Sequence, residues 1–148
     1  MHPSATPAPI LLAEDDPDDR FLLMNAVRRS KLSLPIRMVD DGEALMDYLY
    51  HRGAYTAPDA SPRPSLILLD LNMPRKDGRE ALREIKTTPG LRPIPVLVLT
   101  TSRSQRDIDQ SYALGVNAFL SKPNSFEEMV QTVRILHNFW FLTVRLPV

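Results

Sequence analysis

An α/β protein built on one parallel sheet is predicted, and three observations predict it. Five short apolar runs alternate with longer amphipathic stretches along the 148 residues. The third and fourth runs are apolar on consecutive residues, as strands buried on both faces are. Polar residues able to do chemistry stand directly after the runs. Strands alternating with helices imply parallel pairing with right-handed crossovers.

The first run is Ile10-Leu11-Leu12-Ala13, stopped by Glu14-Asp15-Asp16. Pro17 suits the first turn of a helix, with Asp16 as its N-cap. Phe21, Met24, Ala26 and Val27 are its expected apolar face. Pro35 opens the second run, Ile36–Val39, and Asp40-Asp41-Gly42 closes it. Ala44, Leu45, Tyr48 and Leu49 then recur at helical spacing. Residues 53–65, GAYTAPDASPRPS, read as a long loop. The chain before that loop holds only two strands and two helices, too little for a core of its own. The third run, Ser65–Leu69, ends at Asp70. A loop over Leu71–Gly78 leads to a helix from Arg79 to Thr87. Pro93 and Pro95 precede the fourth run, Val96–Leu99, which ends at Thr100-Thr101. A polar helix over Ser104–Leu114 stops at Gly115. The fifth run, Ala118-Phe119-Leu120, ends at Ser121-Lys122-Pro123, and a last helix spans Ser125–Leu142.

Composition narrows the function classes. Apolar residues make up 43% and charged residues 24%, as in an ordinary globular domain. The 18 basic and 18 acidic residues cancel, so no bulk field points to nucleic acid or an anionic membrane. With no cysteine, disulfides, thiolate metal sites and cysteine nucleophiles are excluded, and a cytoplasmic setting is expected. No apolar run is long enough to span a membrane. Residues 1–8 read as a proline-rich, disordered lead-in.

In open parallel sheets, ligands sit beyond the carboxyl ends of the strands. That rule selects Glu14-Asp15-Asp16, Asp70, Thr100-Thr101 and Lys122. Each motif alone is commonly a helix cap or a turn. Together, at successive ends of one sheet, they form a site. Carboxylates crowded in one crevice resist full ionisation unless a cation joins them. Their hard oxygens suit Mg2+, which keeps waters and takes one or two carboxylates plus phosphate oxygens. Lysine supplies a compact positive charge to a phosphoryl oxygen, and a threonine hydroxyl can donate to another. A carboxylate can itself be the nucleophile that holds the phosphoryl group.

These residues carry a family resemblance. LLAEDD at 11–16, LILLDLNMPRKDG at 66–78, VLVLTTS at 96–102 and AFLSKP at 118–123 resemble two-component response-regulator receiver domains. The spacings agree, with 30 residues from Asp70 to Thr100 and 22 from Thr100 to Lys122. The resemblance covers residues 9–142 and implies a flavodoxin-like, doubly wound sheet of order 2-1-3-4-5 with five helices. It implies Asp70 as phosphoacceptor from a sensor histidine kinase. It implies Glu14, Asp15, Asp70 and the backbone carbonyl of Asn72 as the Mg2+ ligands, and leaves Asp16 without a role. Thr101 and Lys122 are assigned to the phosphoryl oxygens. Thr100 and Phe119 are the switch pair, and Phe119 stands where many members have tyrosine. Members often have a cis bond before the proline that matches Pro123. Asp77-Gly78 matches a glycine needed for close packing or positive φ. The long loop, DLNMPRKDGREAL and the FWFLTVRLP tail resemble stand-alone regulators paired with phytochrome-type kinases.

Residues 143–148 are expected to be a tail without an output domain, so the output is expected from a surface of the receiver. In the last helix, Met129, Val133, Leu136 and Trp140 make one stripe for the sheet. Ile135, Phe139 and Leu142 make a second stripe about 120° away, at about 100° per residue. A homodimer or another partner is expected there. Two other readings stay open. One is an aspartyl-phosphate phosphatase or phosphomutase, which typically has a second aspartate where Asn72 stands. The other is a degenerate receiver that binds partners without phosphorylation. A non-enzymatic phosphoacceptor is the expected class.

Overall fold

Ile10–Ala13 (β1), Ile36–Val39 (β2), Leu66–Leu69 (β3), Val96–Thr100 (β4) and Ala118–Ser121 (β5) form one sheet. Every pairing is parallel and the order is β2-β1-β3-β4-β5. The crossovers are Pro17–Ser30 (α1), Gly42–Tyr50 (α2), Gly78–Thr87 (α3) and Gln105–Leu114 (α4), with Phe126–Leu136 (α5) following β5. This computed structural model describes residues 8–57 and 59–143, with side-chain surroundings through Trp140. The expected lead-in and tail lie almost wholly outside the described residues. The sheet, its order and the helix count match the expected fold.

Strand alternation divides the core in two. Leu11, Ala13, Ile67, Leu69, Val96 and Val98 pack against Leu45, Met46 and Leu49 of α2 and Ala81, Leu82 and Ile85 of α3. On the other side, Ile10, Leu12, Leu66, Leu68 and Leu97 pack against α1 and α5. Met129, Val133 and Leu136 of α5 are buried there and Trp140 packs against the same cluster, as the first stripe requires.

The helix starts follow from the sequence. Asp16, Asp41, Asp77, Ser104 and Ser125 each cap a helix with a side-chain oxygen. At Gly78 a Cβ would overlap the backbone of Asp70 and Leu71, so the close-packing reading of Asp77-Gly78 applies. The loop after α2 is tied down, with Tyr48 Oη donating to Pro62 O at 2.7 Å and His51 Nδ1 2.6 Å from Ser61 Oγ.

Three expectations need correction. Phe21 is 67% exposed. The buried face of α1 is Leu23, Ala26, Val27 and Ser30, and Phe21 falls about 170° from its centre at about 100° per residue. The last helix is not α-helical throughout, for its final turns widen into a π-type helix over His137–Thr143. The spacing past Leu136 therefore departs from the α-helical period used in counting, although Trp140 still packs against the core cluster of α1 and α5. Among the described residues no peptide bond is cis, so the bond before Pro123 is trans.

Candidate functional site

Backbone pairing brings the strand ends together. The Asp70 N–H donates to Ala13 O at 3.1 Å, Glu14 N–H to Val39 O at 3.0 Å, and Lys122 N–H to Thr100 O at 2.8 Å. Glu14, Asp15, Asp70, Thr100 and Lys122 therefore line one edge although they span most of the sequence.

One carboxylate oxygen from each of Glu14, Asp15 and Asp70 lies within 4.8 Å of the others. Glu14 and Asp70 are buried, and Asp15 is more open to solvent. Asp16 stands apart from this group as the α1 cap, accepting from Asp18 N–H at 2.9 Å. Lys122 Nζ lies 2.5 Å from Glu14 Oε1, 2.6 Å from Asp19 Oδ2 and 3.3 Å from Asp70 Oδ2. Burial pushes the Glu14 carboxyl up to about 7, although the hydrogen bond from Lys122 pulls it down, and the Asp70 charge adds to the rise. Burial opposes the Lys122 charge, but bonds to Asp19 and Glu14 and the charge of Asp70 outweigh it and raise its pKa. Burial is the main cause at Glu14 and the surrounding carboxylates are the cause at Lys122, and the edge buries two carboxylates, Glu14 and Asp70, beside one ammonium. That all-oxygen surplus fits a hard divalent cation.

Asp70 Oδ1 accepts from Asn72 N–H at 3.3 Å, so the loop after β3 folds back on the candidate phosphoacceptor. Thr100 is fully buried, and its Oγ1 accepts from Ser102 N–H at 3.3 Å. Thr101 is exposed at the same edge. Phe119 packs against the α2–α3 side of the core, and its N–H donates to Tyr112 Oη at 3.1 Å. By alternation from Val96 and Val98, Thr100 belongs to that same side.

Several residues here had no sequence-based role. Asp19 shares Lys122. Arg79 Nε and Nη2 donate to the two carboxylate oxygens of Asp107 at 2.8 and 2.7 Å, joining α3 to α4. Its Nη1 also lies 3.4 Å from Leu71 O and from Asn72 Oδ1. Ser102 Oγ donates to Asp107 Oδ2 at 2.7 Å. Arg75, held at a φ of 66°, donates to buried Asp41 Oδ2 at 2.6 Å. Asp19 gave no distinct signal, since it is one of several acids in and before the first turn of α1. On the second stripe, Ile135 is 64% and Phe139 50% exposed, and the Leu142 side chain lies outside the described residues.

Residues 10–134 match the response regulator receiver domain family. Response regulator Rcp1 of Synechocystis is 44% identical over 144 residues, covering 97% of this chain and 96% of its own. The Mn2+-bound form of Rcp1 superposes with a TM-score of 0.86 at 44% identity, over 96% of this chain and 100% of that one. The phosphorylated cyanobacterial phytochrome response regulator RcpA superposes at 0.87 and 41% identity, over 97% and 100% of the two chains. With this edge, this strand order and this coverage, the chain belongs to the response regulator receiver domain family, among relatives that include phytochrome response regulators.

Proposed function

We propose that this protein receives a phosphoryl group on Asp70, with Mg2+, from a sensor histidine kinase of the phytochrome type, and passes a change of surface to a partner. The observation that carries the reading is the convergence of Glu14, Asp15, Asp70 and Lys122 within one edge. The relatives support the pairing and the metal, since one similar structure is a phosphorylated phytochrome regulator and another holds Mn2+.

In this reading an Asp70 oxygen attacks the phosphorus of a phosphohistidine. The new O–P bond forms as the P–N bond breaks, and the donor imidazole leaves with the nitrogen lone pair. Glu14, Asp15, Asp70 and the Asn72 carbonyl would hold Mg2+, which supplies charge neutralisation to the transferring group. Lys122 places its ammonium against a phosphoryl oxygen, and Thr101 offers a second donor at the rim. Thr100 gives up the Ser102 amide to donate to the phosphoryl group, and Phe119 follows into the space it leaves. Phe119 has no hydroxyl, so this step rests on packing. The changed surface lies toward α4, β5 and α5, where Ile135, Phe139 and Leu142 are the proposed homodimer or partner contacts.

Intact mass after incubation with acetyl phosphate tests the reading. One phosphoryl adduct is expected that needs both Mg2+ and Asp70. An unaltered mass in folded protein, or full labelling of Asp70→Asn, contradicts it.

A further inference from the structure

Lys122 offers three N–H donors and faces three carboxylates. Two of the three have other work in the proposed function. Glu14 belongs to the acidic group that would hold the cation, and Asp70 gives an oxygen to the new P–O bond. Asp19 is outside that group. It comes from α1, 103 residues away in sequence, and its side chain is 33% exposed while Lys122 is 11% exposed.

We propose that Asp19 is the positioning residue for Lys122, anchoring its ammonium at the sheet edge so that one N–H stays aimed at Asp70 while the phosphoryl group arrives. The inference rests on the phosphoacceptor reading and deepens it. Lys122 lines a cleft with Leu12, Leu23, Leu99 and Met129, in which Glu14 and Asp19 are the acidic residues beside it. A flexible lysine head needs an acceptor to fix it, because an ammonium lacks the rigid fork of a guanidinium. Once Glu14 turns to the cation and Asp70 to phosphorus, Asp19 is the remaining carboxylate in reach of Nζ among the described residues.

The placement of Asp19 follows from the chain. Asp16 caps α1 and Pro17 starts it, so residue 19 falls in the first turn, next to the end of β1. Its partial exposure leaves the carboxylate in contact with solvent. Were Asp19 there only to complement the helix dipole, its removal would act independently of Lys122. As an anchor, it acts through Lys122 and nothing else.

The test is the initial rate of phosphoryl uptake from acetyl phosphate at saturating Mg2+, followed by intact mass. Asp19→Ala is expected to slow uptake about tenfold, and Asp19→Glu to recover part of the loss. In a Lys122→Ala background, followed over a longer time course, Asp19→Ala should change the rate by less than about twofold. Asp19→Asn, which keeps shape and loses charge, carries the same test if the alanine variant fails to fold. Uptake by Asp19→Ala and Asp19→Asn within about twofold of the parent overturns the inference and leaves the phosphoacceptor reading standing. So does an equal fold-loss with and without Lys122. No uptake by the parent protein, in conditions that label a control receiver, overturns both.

Discussion

Two cations hold the carboxyl edge of the sheet together, and they do it differently. On the α1 side, Lys122 shares one ammonium among Glu14, Asp19 and Asp70. On the α4 side, Arg79 makes a two-pronged contact with Asp107, backed by Ser102. The lysine is a compact charge on a flexible stem that can exchange one acceptor for another. The arginine is a planar fork that meets Asp107 through two nitrogens and Asp77 through the third, at 3.1 Å. The first arrangement suits a site where a new anion must be admitted. The second suits a clip between two helices. The Arg79 clip also touches the loop carrying Asn72, and Ser102 donates to Thr100, so the clip adjoins the proposed switch without belonging to the phosphoryl site.

The contrast can be broken at either cation. Lys122→Ala should cut the rate of phosphoryl uptake by about 10²-fold, the usual cost of removing one preorganised donor to a transferring group. A rate within a few-fold of the parent would dissolve the distinction between the two junctions. Asp15→Ala should weaken Mg2+ binding by at least about tenfold in a calorimetric titration. An unchanged affinity removes Asp15 from the ligand set.

Arg79→Ala should do the reverse of Lys122→Ala. Uptake stays within a few-fold, while urea denaturation shows a loss of about 1 kcal/mol, discounted because the guanidinium is partly exposed. The clip also makes a pH prediction. Hydrogen bonds from Arg79, and then from Ser102, hold the Asp107 carboxyl down at about 2, against an ordinary 3.8. A lowered folded pKa gives stability that is complete above the unfolded value and fades as pH falls through the folded one. The stability gap between the parent and Asp107→Asn should therefore be full at pH above about 4 and shrink toward about 2. A gap that grows on acidification would mean the pair is not ionic. Phe139→Glu should leave both junctions and their chemistry alone and weaken self-association; unchanged sedimentation would move the interface off the second stripe.

The sequence carried the sheet edge well and the links between helices poorly. Leu66–Leu69 and Val96–Leu99 are continuous apolar runs, so their ends at Asp70 and Thr100 could be read directly. The cap before α1 was also read directly, from Asp16 standing ahead of Pro17. Arg79 and Asp107 pair across 28 residues, and neither spacing nor composition marks that contact. Asp19 was hidden for another reason. Several acids stand in and before the first turn of α1, and the helix dipole is a sufficient account of any one of them. Phe21 misled because a large apolar side chain was counted inward, when Leu23, Ala26, Val27 and Ser30 already filled the face toward the sheet. The π-type turns after Leu136 have no signature in a period counted at α-helical spacing.

The central claim is that phosphorus becomes bonded to one carboxylate, that of Asp70. The most direct test is to load the protein from acetyl phosphate with Mg2+, reduce the acyl phosphate with borohydride, and sequence the peptides by tandem mass spectrometry. The account predicts that residue 70 alone is converted from aspartate to homoserine, and only in samples that received Mg2+. Conversion at Asp15, Asp16, Asp19 or any other carboxylate, with Asp70 intact, would contradict it.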